Sequence, residues 1–398
     1  MEGEEGDSSE DGDDSDDHPR ARIRLVHVTQ EDPCYPSITG GVIRFFEICG
    51  KIPDLEVTLV DTKHHNANGY FRSYVRERYP KLRLKLLNIP KAPFSVRKVL
   101  FTIMATFSLV RMRKTYDVIH VDEVFETLIV GFLARLITGK PWICTFQGVW
   151  AETFLDRCKL ATSYFLVSHA DAVVVPSVST KHLLANHGIQ TEKVYTVYLG
   201  VDLDAFKPMS VGKTMNAIFV GRLCKAKGVD LLLKAWAEVA RRIPSAKLGV
   251  VGGGNSDYVE LAEKLGLEKN VVFFDWVHHN QIPVLLNQAE LFLLPTRGET
   301  FCLAIAEALA CGLPVVTHPI PAFKELWNDV AIFVAPNAAD WVNILLSLNS
   351  NRQLFIRLRE AGMEHVRKFS WSNGSLRFSN IVKSVLNHSE KPHRLQAN

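Results

Sequence analysis

Short apolar runs alternate with helical patterns along almost the whole chain, and the series is laid down twice. The run 23–29 (IRLVHVT) reads as a first strand. A Pro-containing loop, Gly40-Gly41 and an apolar-periodic helix over 42–49 follow, then a second strand at 56–60. A strand–loop–helix–strand start points to a parallel sheet. The pattern continues with a strand at 117–121, a helix over 127–137, and strands at 141–146 and 172–175. A linker-like segment from Gly200 to Pro208 interrupts it. A fresh series then opens with a strand at 216–220, a helix near 229–241 and a strand at 247–251 that runs into Gly252-Gly253-Gly254. Strands at 271–274, 291–294, 314–317 and 331–334 complete it, with helices between them, one near 281–288. The 398 residues are too many for one ordinary core and comfortable for two. The expectation is two doubly wound α/β domains, 21–205 and 206–370, facing each other. Such sheets bind ligands beyond the carboxyl ends of their strands, so chemistry is expected in the cleft they share.

The charge is unevenly spread. Residues 1–20 hold ten acidic side chains and one arginine, a net of −9 within an overall +3, so residues 21–398 carry +12. The acidic stretch has almost nothing apolar to bury and is expected to be a disordered tail. The basic body suits an anionic partner: a nucleotide diphosphate, a lipid phosphate or a membrane surface. No recognised nucleic-acid motif accompanies the charge, so nucleic acid is not expected as a partner. The seven cysteines are scattered, without CxxC or zinc-like spacing, which fits a reducing compartment. The acidic start lacks the basic flank and apolar stretch of a secretory signal. The longest apolar run, 99–110, is too short for the roughly 20 residues that cross a bilayer. The expected location is therefore cytoplasmic, or peripheral on the cytoplasmic face of a membrane.

The most informative segment is 291–317 (LFLLPTRGETFCLAIAEALACGLPVVT). A strand ends at Pro295, a polar turn carries Glu299, and a helix is expected over 301–311, with Gly312 as its C-cap and Pro314 beyond. Glu299 then lies beside the free amides of a helix start, a ready site for phosphate or sugar oxygens. Glu307, separated from it by seven residues, is the only charge in 302–311. If buried it needs hydrogen-bond donors, which ribose hydroxyls would supply. On spacing alone the alternative stays open: Glu299 as a favourable helix-start charge and Glu307 as an exposed point.

This segment resembles the E-x7-E signature of retaining glycosyltransferases of the GT-B fold, the family-four group. Val220-Gly221-Arg222-Leu223 with Lys227-Gly228 resembles the family's G-R-L…K-G element, and Val251-Gly252-Gly253-Gly254 its strand-then-glycine turn. Ala310-Cys311-Gly312-Leu313-Pro314-Val315-Val316 and Gly200-Val201-Asp202 with Phe206-Lys207-Pro208 resemble two further family elements, in order. The resemblance implies two facing Rossmann-like domains with a final helix, 371–386, crossing back to the first, and a frayed tail over 387–398. It implies that Arg222 and Lys227 contact the donor diphosphate, that Glu299 touches the transferred sugar and that Glu307 holds the ribose. Backbone amides of Thr300, Phe301, Cys302 and Leu303 would surround sugar and phosphates. Many relatives have glycine where this chain has Cys302, whose side chain would narrow the sugar pocket. The triple glycine does not complete G-x-G-x-x-G, because Asp257 stands at the third position. Gly252 is read instead as a tight turn allowing close approach to the donor.

On the acceptor side, Gly40 and Gly41 resemble the family's glycine loop, with Gly41 near the diphosphate and Gly40 near the acceptor; an ordinary turn is the alternative. Gln147 stands where many relatives carry histidine. It can hydrogen-bond a sugar hydroxyl but cannot act as a base near neutral pH. Arg97-Lys98, the apolar run and Arg111, Arg113 and Lys114 form a helix with basic ends, in which Val99, Ile103, Phe107 and Val110 recur at helical spacing. It reads either as a core helix with solvated ends or as a helix lying on an anionic leaflet, suiting a lipid-linked acceptor. His64-His65 and His278-His279 lack a surrounding carboxylate pattern, so no metal and no cofactor are expected; the segment around His278 borders the nucleobase in relatives.

The expected function is retaining transfer from a nucleoside diphosphate sugar to a hydroxyl of a sugar or lipid-linked acceptor. Arg222, Lys227 and the helix start would carry the charge developing on the leaving diphosphate. The two rivals are a nucleotide-sugar epimerase of the same fold and a non-catalytic nucleotide-sugar-binding subunit.

Overall fold

The computed structural model describes residues 22–29, 40–62, 77, 79, 81–148, 154–254 and 257–394; the acidic tail and His64-His65 lie outside them. Two parallel sheets organise the chain. The first has seven strands: β1 (Ile23–Val28), β2 (Leu55–Thr62), β3 (Arg83–Leu87), β4 (Val118–Asp122), β5 (Trp142–Thr145), β6 (Ala172–Val175) and β7 (Val194–Thr196), in the order β3-β2-β1-β4-β5-β6-β7. The second has six: β8 (Met215–Val220), β9 (Leu248–Val251), β10 (Val271–Phe274), β11 (Ala289–Leu294), β12 (Val315–Thr317) and β13 (Ala331–Phe333), in the order β10-β9-β8-β11-β12-β13. Each is doubly wound, and the direction of winding reverses between β1 and β4 in one and between β8 and β11 in the other. Register follows the apolar runs: Leu25 pairs with Val118, and Ala217 with Leu248 and, through β11, Leu291. The central strands β4, β5, β6 and β9 are buried at every residue, because helices cover both faces.

The helix Trp371–Arg394 crosses from the second half to the first. Its Ser375 hydroxyl donates to the Ile48 carbonyl at 2.7 Å, and Phe378, Ile381, Val382 and Val385 bury against the helix Gly40–Cys49 and its surroundings. The side chains thus tie the chain's end to its beginning.

The structure departs from the sequence expectations at several places. The edge strands β3 and β7 were not expected; β3 (RLKLL) alternates exposed and half-buried residues up to the buried Leu87 and lacks a continuous apolar run. Gly40 and Gly41 are the first two residues of a helix, not a turn ahead of it. The helix expected over 301–311 is Leu303–Ala310, because the chain at Cys302 turns to a positive φ before the helix begins. The final helix continues to Arg394, past the expected end at 386, so residues 387–394 are helical; 395–398 lie outside the described residues.

Candidate donor and acceptor site

At the switch point of the second sheet, β8 ends at Val220 and the chain turns through Gly221 and the exposed Arg222 into a short turn over Lys225–Lys227. A Cβ at Gly252 would overlap the Gly221 carbonyl oxygen, and its φ of +148° suits glycine. The close approach that Gly252 allows is therefore to a neighbouring backbone turn, which holds the Arg222 loop in place.

The loop after β11 faces this turn. The Lys227 ammonium is ion-paired and hydrogen-bonded with the Glu299 carboxylate, both side chains being largely buried. Burial pulls the Lys227 pKa below its ordinary value, and nearby Arg222 pulls the same way. Two residues that the sequence did not single out, Arg297 and Asp230, clamp the loops together. Arg297 meets Asp230 in a two-pronged pair at 2.9 and 3.0 Å, and its backbone amide donates to the Ala226 carbonyl at 2.8 Å.

Beyond Glu299 the chain enters the helix Leu303–Ala310. Among the described residues the amides of Thr300, Phe301, Cys302 and Leu303 donate to no backbone carbonyl. Leu303 opens the helix with Cys302 as its N-cap, and Thr300 and Phe301 precede it in the turn, so the four amides lie at and just ahead of a helix start, where the helix dipole also favours negative charge. The Phe301 side chain points into the core against Trp327 and Phe369, and its carbonyl accepts from the Trp327 indole at 3.3 Å, so Phe301 has only its backbone to offer a ligand. Cys302 has φ +73° and is the one non-glycine residue with positive φ among the described residues. Burial pushes its thiol pKa up, against the opposing pull of Lys227.

Glu307 is 7% exposed, so it is not a surface point on an amphipathic helix. Its carboxylate takes a hydrogen bond from His279 Nε2 at 2.8 Å. The burial that called for a donor is thus met within the protein, by one of the two adjacent histidines.

At the switch point of the first sheet, Gln147 and Gly148 follow β5 as partly buried residues. Beneath them lies a polar cluster that the sequence did not reveal. His27 and His120 share a hydrogen bond between their Nδ1 atoms at 2.8 Å, and His120 Nε2 meets Thr145 Oγ1 at 2.8 Å. Asp122 pairs with the buried Arg44 at 3.2 Å and lies 3.5 Å from His27 Nε2. Burial pushes His27 down to about 3, holds His120 well below its usual value, and lifts Asp122 to about 6 and its neighbour Glu123 to about 8. The signal was present in His120, Asp122 and Glu123, polar residues at the end of an otherwise apolar strand. Among the described residues no group of three or more His, Cys, Asp or Glu could hold a metal ion.

The helix Phe94–Arg111 settles which of its stripes faces inward. Phe101, Ala105 and Leu109 are buried, whereas Phe94, Val96, Val99, Ile103 and Phe107 are exposed, Ile103 at 60% and Phe107 at 65%. Residues Val99, Ile103 and Phe107, which recur at helical spacing, therefore form an outer stripe. Leu136 and Ile137 of the adjacent helix Phe125–Thr138, and Phe165 of Phe154–Ser168, are exposed as well. No described helix is long and apolar enough to cross a membrane.

The family profile "Glycosyl transferases group 1" matches residues 202–365, and "Glycosyltransferase Family 4" matches residues 40–205. Among curated relatives, the chain is 28% identical over 340 residues to a phosphatidylinositol N-acetylglucosaminyltransferase subunit of Arabidopsis thaliana, covering 82% of this chain and 74% of that protein. It is 28% identical over 346 residues to a Corynebacterium aurimucosum D-inositol 3-phosphate glycosyltransferase, covering 76% and 82%. Its fold matches the sucrose-phosphate synthase of Thermosynechococcus elongatus with a TM-score of 0.80 at 20% identity, covering 92% of this chain and 100% of that one. It matches Anabaena HepE, solved in complex with UDP and glucose, with a TM-score of 0.76 at 18% identity, covering 91% and 100%. With two facing parallel sheets, a helix crossing back between them and both family profiles matched in order, the chain belongs to the group 1 glycosyltransferases of the GT-B fold and is a glycosyltransferase.

Proposed function

We propose that the protein transfers a sugar from a uridine diphosphate sugar to a hydroxyl of a lipid-linked inositol phosphate, with retention of configuration and without a metal ion. The observation that carries this reading is the Lys227–Glu299 pair beside four amides that donate to no described carbonyl. An arriving diphosphate competes with Glu299 for Lys227. The carboxylate so released is free to accept from the hydroxyls of the sugar that the diphosphate brings, so donor binding replaces one charge-assisted contact by two. Arg222, Lys227 and the helix start then carry the charge that develops on the leaving diphosphate. The departing phosphate oxygen accepts the proton of the incoming hydroxyl on the same face of the sugar, which yields retention. In this reading Glu307, with one oxygen bonded to His279, accepts from the ribose hydroxyls through its other oxygen.

Uridine as the base is supported by the UDP complexes of the fold relative. Inositol phosphate as the acceptor is supported by the names of two sequence relatives, which share that chemistry. The outer apolar stripe with Arg111, Arg113 and Lys114 beside it supports a protein that rests on an anionic leaflet. The test is release of the matching nucleoside diphosphate from a panel of UDP-, GDP- and ADP-sugars in EDTA, for the native protein and Glu299→Ala. Release from one UDP-sugar, insensitive to EDTA and at least a hundredfold slower in the variant, is expected. Dependence on added divalent metal, or full activity in Glu299→Ala, would refute the reading.

A further inference from the structure

Glu123 stands at the carboxyl end of β4, and its Oε2 accepts the backbone N–H of Gly148 at 3.0 Å. Gly148 follows β5, so the bond ties together the two loops that leave adjacent strands where this sheet opens toward the cleft. Gly148 has φ +99°, a conformation that glycine adopts without the steric cost other residues carry. It is also a point where the first half touches the donor loop: a Cβ on Gly148 would stand 2.9 Å from Thr300 Cγ2. Thr300 directly follows Glu299 and supplies one of the amides that donate to no backbone carbonyl among the described residues. Glu123, Gly148 and Thr300 therefore form a chain of contacts from the first sheet to the donor loop.

A carboxyl group in this position is costly to keep. Burial opposes its ionisation, and nearby Arg44 and the Gly148 amide only partly offset that. Arg44 makes its hydrogen bond to Asp122, leaving the Gly148 amide as the described donor to Glu123. An apolar residue at 123 would remove the burial cost but release the Gly148 loop.

Resting on the reading of this protein as a sugar transferase, we propose that Glu123 is a positioning residue for the acceptor. By holding the Gly148 amide it fixes the Gln147-Gly148 loop against Thr300, and so sets the gap through which a hydroxyl acceptor reaches the sugar. It acts through Gly148 and is not itself a group that touches the reacting atoms.

The test compares Glu123→Ala with Glu123→Gln, whose amide oxygen can still accept from Gly148. Two rates are read with a UDP-sugar: hydrolysis by water, and transfer to D-inositol 3-phosphate or to phosphatidylinositol in vesicles. Glu123→Ala is expected to raise the acceptor KM at least tenfold and to depress transfer at least tenfold more than hydrolysis. Glu123→Gln is expected to return to within about threefold of the native protein, a shift of about 0.7 kcal/mol. Equal loss of hydrolysis and transfer in Glu123→Ala, or an unchanged acceptor KM, would overturn the proposal. If the native protein hydrolyses the donor but transfers to neither inositol probe, the acceptor reading falls by itself. Amide exchange at Gly148 then decides: protection lost in Glu123→Ala and kept in Glu123→Gln supports the positioning role, and equal protection in both overturns it.

Discussion

Cys302 concentrates the relation between sequence and site in one residue. A backbone at φ +73° costs a non-glycine residue on the order of 1–3 kcal/mol, and this chain accepts that cost beside Lys227 and Glu299. The family resemblance pointed to glycine at this position in many relatives; the reason is visible only in the backbone angle. Cys302→Gly relieves the strain but loses about 0.5–1 kcal/mol to the greater freedom of unfolded glycine. The expected net gain is about 1 kcal/mol, or roughly 2 °C in Tm. Cys302→Val, β-branched at a positive φ, is expected to lower Tm instead. Thermal unfolding of the two variants checks both signs. Glu307 gives a second test at this scale. His279→Ala leaves a buried carboxylate without its described donor, at a cost of about 1–3 kcal/mol, which chemical denaturation reads directly.

Among the elements, the helix Phe94–Arg111 was the one whose sequence left two readings open. Both of its stripes contain apolar residues, so periodicity alone could not say which faces inward. The answer lay in neighbouring helices, which cover Phe101, Ala105 and Leu109 and leave Ile103 and Phe107 outside. Ile103→Asp with Phe107→Asp is therefore expected to leave Tm within about 2 °C, since neither residue is part of the core, while cutting binding to anionic vesicles at least tenfold. A co-sedimentation assay against phosphatidylserine vesicles measures it; undiminished binding would count against the docking surface. The central strands were legible because each is a short apolar run, whereas β3 was missed because charged residues alternate along it. The site loops were legible as an ordered set of motifs. The Arg297–Asp230 clamp and the His279–Glu307 bond were not, because each joins positions far apart in sequence and only the fold brings them together.

At the scale of the whole molecule, the polar cluster under the acceptor loop gives stability a defined pH dependence. His27 and His120 titrate lower in the fold than in the unfolded chain, so the stability they confer is present above about 6.5 and lost as pH falls toward 3. Asp122 and Glu123 titrate higher in the fold, so their contribution is complete below about 4 and lost as pH rises through about 6 and about 8. The two effects oppose each other between pH 4 and 6. Above about 6.5 Glu123 dominates, and stability is expected to decline toward pH 8; Glu123→Gln should flatten that decline in denaturation curves taken across the range. On the proposed reading the two halves act together: a donor gripped by Arg222, Lys227 and the helix start delivers its sugar to an inositol phosphate on the face the diphosphate leaves. The most direct measurement is the anomeric configuration, by NMR, of the sugar transferred from an α-linked UDP-sugar to phosphatidylinositol vesicles in the presence of EDTA. An α-linked product on the inositol ring is predicted; a β-linked product, or free sugar alone, would contradict it.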